Sequence, residues 1–255
     1  MYAEERQQAI AQLVADRGSV SVAELATEFV VTTETVRRDL SLLERAGLVR
    51  RVHGGAIPAG ALASIESALT ERDTANTRQK DQIARAALAQ LPAGEATILI
   101  DAGSSTSRLA ALLPTDRQLV VITHAVPVAA RLAGLPHVSL HLLPGRVRPS
   151  TQAAVGADTV AALQRLRADI AFIGTNGISV AHGFSTPDLE EAATKRALVQ
   201  AARRTVVLAD ASKFGTETAQ RFAGLDEIDV VVTDEGADRA ACAELTAHGL
   251  EVVVA

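Results

Sequence analysis

Five clusters in the back two-thirds of the chain bring acids, bases, hydroxyls and glycines together. They are Asp101-Ala102-Gly103-Ser104-Ser105-Thr106, Thr123-His124, Gly174-Thr175-Asn176-Gly177, Glu191 with Lys195, and Asp210-Ala211-Ser212-Lys213. Gly103, Gly174 and Gly177 let the backbone come close to an anion. Ser104, Ser105 and Thr106 offer hydroxyls and free amides where a helix is expected to begin, and the peptide dipoles there favour negative charge. A phosphate is the natural occupant, and Asp101 can accept from a sugar hydroxyl. Each cluster alone has a plainer reading. The first can be an N-cap in a tight turn, and Glu191 with Lys195 an ordinary i,i+4 ion pair of about 0.2–0.5 kcal/mol. Five at corresponding strand ends describe a pocket for a polyol phosphate.

A second set lies near the start. Thr32, Thr33 and Thr35 open a helical stretch that continues with Arg37 and Arg38. Hydroxyls and amides at a helix N-terminus hold phosphate oxygens, and guanidinium forks one turn later reach guanine edges or the backbone, so this helix suits end-on entry into a DNA major groove. From Arg37 to His53 the chain carries five arginines against Asp39 and Glu44, within a protein whose net charge is −5. A local basic patch on an acidic body fits a docking surface better than a nucleic-acid coat. The plainer reading is a solvated charged helix face. The residues expected at that docking surface are Ser21, Thr32, Thr33, Thr35, Arg37, Arg38, Arg50, Arg51 and His53. His53 has no partner at metal-ligand spacing and is read as a wing or phosphate contact.

The elements that must position these groups follow from periodicity. Ala9, Ile10, Leu13 and Val14 mark a first helix from Glu4 to Arg17. Ser21 and Glu24 make a capping box for a second helix burying Val22, Leu25, Ala26 and Phe29. After a turn at Val30-Val31, a third helix buries Val36, Leu40 and Leu43, and Gly47 ends it. Leu48 to Ile57 alternates and turns at Gly54-Gly55, as a two-stranded wing does. The expected organisation is a winged helix-turn-helix over 1–57, a linker over 58–76 and an α/β domain over 77–255. Thr77 is expected to cap a helix over 78–91 with the apolar stripe Ile83, Ala84, Ala87, Leu88 and Leu91, and a later helix to run from about Thr106 to Leu113. Seven Val/Ile/Leu-rich runs (96–101, 118–123, 138–143, 169–174, 205–210, 229–234 and 251–255) alternate with helical stretches, which implies a mostly parallel sheet covered on both faces.

Composition narrows the rest. The chain has 255 residues, 48% hydrophobic but only 2% aromatic, so its core is aliphatic. No apolar run approaches the roughly 18–20 residues that span a bilayer, and the start does not look like a signal peptide. The single cysteine, Cys242, excludes an internal disulfide; it is expected to be a small core residue. A cytoplasmic address, no metal and no cofactor are the expectations.

These motifs resemble those of bacterial DeoR-type transcriptional regulators over almost the whole chain. TETVRRDLSLLERAG followed by LVRRVHGGA is the family's N-terminal signature, and DAGSST, IGTNGIS, GFSTPDLEEAATKRALV and LADASKFG match its C-terminal sugar-phosphate sensor, whose fold is related to ribose-5-phosphate isomerase. The resemblance implies a double-stranded DNA operator, a phosphorylated sugar effector and a homodimer or homotetramer. It also implies an effector pocket lined by Asp101, Gly103, Ser104, Ser105, Thr106, Gly174, Glu191, Lys195, Asp210 and Lys213; from their own place at strand ends, Thr123, Thr175, Asn176 and Gly177 are expected beside them. Where the family usually has Asn this chain has His124, and where a double glycine is common Gly145 is followed by Arg146. Those two departures set an imidazole and a guanidinium at the pocket's edge. The opening MYAEERQQAI looks like repressors of fructose or phosphotransferase-system operons and suggests fructose 1-phosphate. The sensor residues alone also fit a sugar-phosphate isomerase with Glu191 or Asp210 as base, against which stands the DNA-binding module. A nucleotide site is disfavoured, because the loop lacks the GxxxxGK[ST] lysine and the GxGxxG spacing.

Overall fold

A computed structural model describes residues 2–18, 20–52, 54–58 and 69–255. The chain divides into two compact units, 1–63 and 64–255. His53 and most of the expected linker lie outside the described residues.

In the first unit, α1 (Ala3–Arg17) leads through β1 (Val20–Ser21) to α2 (Val22–Glu28) and α3 (Thr33–Arg45), followed by the hairpin β2 (Val49–Val52) and β3 (Gly55–Pro58). Ser21 and Glu24 close the expected capping box, with the Glu24 amide 3.1 Å from the Ser21 hydroxyl. Ile10, Val14, Leu25, Val36, Leu40 and Leu43 form the core. Each such side chain contributes about 1.5–3 kcal/mol when fully buried. Two details differ from expectation. Val52 pairs with Gly55, so the hairpin turns one residue earlier than Gly54-Gly55. The wing also gains a third strand, because β1 pairs with β3. That pairing makes Gly55 obligatory, since a Cβ there would lie 2.3 Å from the Val20 carbonyl oxygen.

The described part of the second unit opens with α4 (Leu69–Thr74) and α5 (Thr77–Ala87). The stretch read as linker therefore contains a helix. Asn76, in the left-handed region at φ 51°, takes the N-cap position expected of Thr77, whose hydroxyl instead donates to the Asp73 and Thr74 carbonyls.

Strands and helices then alternate: β4 (Ala96–Ile100), α6 (Ser104–Ala111), β5 (Leu119–Thr123), α7 (Val126–Leu132) and β6 (Val138–Leu142). After the hairpin β7 (Arg146–Arg148) and β8 (Ala153–Val155) come α8 (Ala157–Gln164) and β9 (Ile170–Gly174). β10 (Gly177–Ser179) and β11 (Gly183–Thr186) precede α9 (Leu189–Ala201) and β12 (Thr205–Leu208). β13 (Gln220–Ala223), β14 (Val230–Thr233), α10 (Arg239–Ala247) and β15 (Glu251–Val254) complete the chain.

The seven expected runs form one sheet in the order β15-β14-β12-β9-β4-β5-β6, parallel at every pairing. Alternate residues feed opposite faces. Ile98, Ile100, Val121, Phe172, Val206 and Val232 pack with the α5–α7 side, while Leu99, Ile122, Ile173, Val207 and Val231 pack with Leu163, Leu198 and Leu245 from α8–α10. Both faces being covered explains why the strands read as unbroken apolar runs. The sheet β10-β11-β13 and the β7-β8 hairpin sit beside it. Cys242 is half-buried rather than a core residue: α10 buries only Leu245. None of the described helices is long and apolar enough to cross a membrane.

Candidate functional site

On α3, the buried stripe leaves Thr32, Thr33, Arg37 and Arg38 exposed and Thr35 half-buried. Thr32 caps the helix, accepting from the Thr35 amide at 3.2 Å, and the two hydroxyls lie 2.9 Å apart. Arg37 approaches Glu34 at 3.4 Å, an exposed i,i+3 contact of little worth. Arg38 makes no hydrogen bond or ion pair with any described residue. From the wing, Arg51 donates through Nη1 to Ser41 Oγ at 2.8 Å, while its amide donates to Glu44 Oε1 at 2.8 Å, so the wing is fastened to α3. Arg50 is half-buried on the same strand. Ser21 spends its hydroxyl on the α2 cap. Sequence reading missed the role of Asp39, which is buried inside the module and accepts from Arg6 Nε at 2.7 Å and Gln7 Nε2 at 2.9 Å.

In the second unit, the C-terminal ends of β12, β9, β4 and β5 are neighbours, which brings Asp210, Gly174, Asp101 and Thr123-His124 to one rim of the sheet. Asp101 is fully buried. Its Oδ1 lies 2.8 Å from His124 Nε2; its Oδ2 accepts from the Gly174 amide at 2.8 Å and from Lys195 Nζ. Burial alone would raise this carboxyl, but Lys195 and His124 outweigh it and hold the pKa at about 2. His124 Nδ1 faces the Ala154 carbonyl at 2.8 Å, so Nδ1 carries a hydrogen; Nε2 lies 2.8 Å from the Asp101 carboxylate, to which it donates when protonated, and 3.2 Å from the Ala102 amide, from which it accepts when it is not. Lys195 also donates to the Gly174 carbonyl at 2.8 Å and sits 5.6 Å from the Phe222 ring centroid. The i,i+4 pair with Glu191 is not what Lys195 makes. Asp101 is thus occupied by protein groups, which corrects the expectation that it is open to a sugar hydroxyl. Thr123 is likewise spent, donating to the Ile100 carbonyl at 2.6 Å and accepting from the Ala125 amide at 3.0 Å.

Helix α6 starts at Ser104, two residues earlier than expected, with Gly103 as N-cap. Thr106 turns its hydroxyl back to the Gly103 carbonyl at 3.1 Å. Ser104 and Ser105 are buried, and their hydroxyls bond to no described residue. Across the rim, Thr186 Oγ1 links Asn176 Oδ1 at 3.0 Å and Glu191 Oε2 at 3.4 Å. Thr175 closes its own loop onto the Gly177 carbonyl at 2.8 Å. Gly177 is a packing glycine, because a Cβ would lie 2.3 Å from the Thr216 carbonyl oxygen. Gly145 similarly abuts Thr159 and Val155.

Arg146 is exposed and paired with Glu190 at the surface; the guanidinium reaching Glu191 at 2.7 Å and Asp188 at 3.2 Å is Arg148, two residues on along β7. At the fourth corner Asp210 Oδ1 accepts from Ser212 Oγ at 2.5 Å and Asn76 Nδ2 at 3.2 Å. Burial would raise the Asp210 carboxyl, yet Lys213, Ser212 and Lys80 hold it below the usual range. Lys80 is buried, donates to the Ala75 carbonyl at 2.6 Å, and is pulled down to about 8 by desolvation. Asn76, Lys80 and Arg148 were not expected at the site. Among the described residues no group of three or more His, Cys, Asp or Glu is placed to hold a metal.

A winged helix-turn-helix with an exposed hydroxyl and guanidinium face, followed by an α/β domain gathering polar groups at its strand ends, defines a DNA-binding regulator with a sensor domain. Residues 6–59 match the DeoR-like helix-turn-helix domain and residues 75–235 the DeoR C terminal sensor domain. The chain belongs to the DeoR family of transcriptional regulators. It is 33% identical to the HTH-type transcriptional regulator GlpR of Haloferax volcanii, over 98% of this chain and 96% of that one. It is 30% identical to the Glycerol-3-phosphate regulon repressor of Escherichia coli, over 97% of each chain. Its fold is similar to ribose 5-phosphate isomerase A of Methanocaldococcus jannaschii over 55% of each chain, at 16% identity and a TM-score of 0.41. Relatives spanning the whole chain are named as regulators, so the isomerase reading is not favoured.

Proposed function

We propose that the protein represses a sugar-utilisation operon in the cytoplasm, and that a phosphorylated sugar bound by the sensor domain releases it from its operator. The observation that carries this reading is the two-sidedness of α3. One stripe is buried, while Thr32, Thr33, Arg37 and Arg38 are left to solvent beside the docked Arg51. In this reading Thr35 and the threonines at the cap set the phosphates, Arg37 and Arg38 reach bases or backbone, and Arg50, Arg51 and His53 follow the strand alongside. Two copies in a homodimer or homotetramer present two such modules to related half-sites.

The effector half rests on the free hydroxyls of Ser104 and Ser105 at the start of α6, with Asn176, Glu191 and Lys213 around the same rim. Asp101, His124 and Lys195 shape that rim from beneath. The opening residues suggest fructose 1-phosphate, and a relative named for glycerol-3-phosphate makes that compound the second candidate. Operator fragments selected from random duplexes would be titrated with the protein, with and without each compound. A coupling of about 1–3 kcal/mol changes affinity roughly 5- to 150-fold. Affinity unmoved by every phosphorylated sugar rejects the switch.

A further inference from the structure

A cleft of about 440 Å³ lies between α4, α6 and α7, lined by Leu69, Asp73, Ser104, Arg108, Arg131 and Gln152 among others. Its size falls within the roughly 300–1,000 Å³ of small-molecule pockets. The charge on its walls is lopsided, with two guanidiniums against one carboxylate. Arg131, in the last turn of α7, is exposed and makes no ion pair or hydrogen bond with any described residue. Ser104 is only 7% exposed, and its hydroxyl bonds to no described residue. Arg108, with its side chain 16% exposed, is held by Asp73: it donates to the Asp73 carboxylate and, at 2.9 Å, to the Asp73 carbonyl, and its Nε lies 2.9 Å from Asp81. The cations at the sheet rim already face carboxylates: Lys195 is neutralised inside the core by Asp101, Lys213 and Lys80 act on Asp210, and Arg148 pairs with Glu191 and Asp188.

We propose that Arg108 and Arg131 take the effector's phosphate in this cleft, and that Asp73 is a built-in competitor which the phosphate displaces. The proposal rests on the phosphorylated-sugar reading above and names the groups that would recognise its charged end. A carboxylate on one guanidinium is a partial substitute for a phosphate, whose additional oxygens and second charge satisfy both arginines at once. The competition has a structural consequence. Asp73 belongs to α4, a helix of six residues, far below the roughly 12–15 at which an isolated helix holds together. Its order depends on outside contacts: the Arg108 pair, the Leu69 amide on the Ser150 carbonyl at 2.8 Å, and Lys80 on the Arg72 and Ala75 carbonyls. In this proposal the loosening of α4 on ligand binding is the change within the sensor unit that accompanies operator release.

The test uses the full chain and its variants Arg108→Gln, Arg131→Gln and Asp73→Asn, titrated calorimetrically with inorganic phosphate, fructose 1-phosphate and glycerol 3-phosphate. For each probe that binds the wild type, either arginine variant is expected to weaken binding about tenfold or more, as loss of a charge-assisted hydrogen bond to phosphate does. Asp73→Asn is expected to tighten it and to bind operator with less response to the same probe. Arg131→Gln changes an exposed side chain, so its result stands even if Arg108→Gln disturbs α4. A sugar phosphate that binds the wild type and both arginine variants equally overturns this assignment and leaves the effector reading intact. If no phosphorylated probe binds the wild type, the effector reading fails and this proposal falls with it. Unchanged affinity in Asp73→Asn overturns the competition.

Discussion

The imidazole of His124 lies 2.8 Å from the carboxylate of Asp101, whose other oxygen holds Lys195. This buried trio ties the ends of β4 and β5 to helix α9, so it gives the rim its shape. A carboxyl held at about 2 contributes stability that is fully present above its unfolded value of about 3.9 and is lost as pH falls through the folded value. The sensor should therefore lose on the order of 2 kcal/mol between about pH 4 and 2 from this group. Removing the ring's contribution with His124→Asn raises the Asp101 carboxyl and shrinks that loss. Urea unfolding of both proteins from pH 6 to 2 checks this; identical acid profiles would show that His124 does not set the carboxyl.

Val30 sits at φ 53° in the turn between α2 and α3 and is 89% exposed. A β-branched residue in the left-handed region carries a backbone cost of about 1–2 kcal/mol that no side-chain contact repays. Val30→Gly should stabilise the first unit by about 1 kcal/mol after glycine's greater unfolded entropy is counted. Slower amide exchange in α1–α3 is the expected readout, and faster exchange would refute it.

Arg37 and Arg38 are adjacent but differ in surroundings, because Arg37 has Glu34 beside it and Arg38 has no partner among the described residues. Replacing Arg38 by Ala should weaken operator binding and lower the slope of log affinity against log salt by about one if it meets a phosphate. Arg37→Ala should weaken binding with a smaller change of slope, since Glu34 already offsets part of its charge. Unaltered affinity and slope in both would displace the recognition role from α3.

Gly55→Ala places a methyl group against the Val20 carbonyl, where the gap is 2.3 Å. Backbone on backbone cannot give way cheaply, so β1 should part from β3 at a cost of about 1–3 kcal/mol. Loss of exchange protection in β1–β3 with α5–α9 unchanged is the expected result. Protection unchanged throughout would mean the strand shifts without cost.

Much of this architecture is written in local pattern. The seven apolar runs, the capping box at Ser21 and the stripe Val36-Leu40-Leu43 each lie within one turn or one strand, where periodicity speaks directly. The site is harder to read because its partners are remote: Asp101 meets Lys195 across 94 positions, and Asn76 meets Asp210 across 134. Spacing could not tell that Asp101 and Thr123 were already satisfied. Strands of two or three residues such as β1, β7 and β10 are too short to show alternation, so the wing's third strand and the hairpin carrying Arg148 stayed hidden. Lys80 did leave a trace, standing three and four positions before Ile83 and Ala84 on the buried stripe of α5. A charge on an apolar stripe marks a residue with a partner to find.

Asp39 has a last implication. By clasping Arg6 and Gln7 from within α3, it makes the first and third helices one block, and Arg51 bolts the hairpin to the same block. Such a reading head has no easy internal joint along which to retune base preference. In the regulation proposed above, an inducer would therefore act on the head as a whole, changing how tightly promoters are held and leaving unaltered which promoters are chosen.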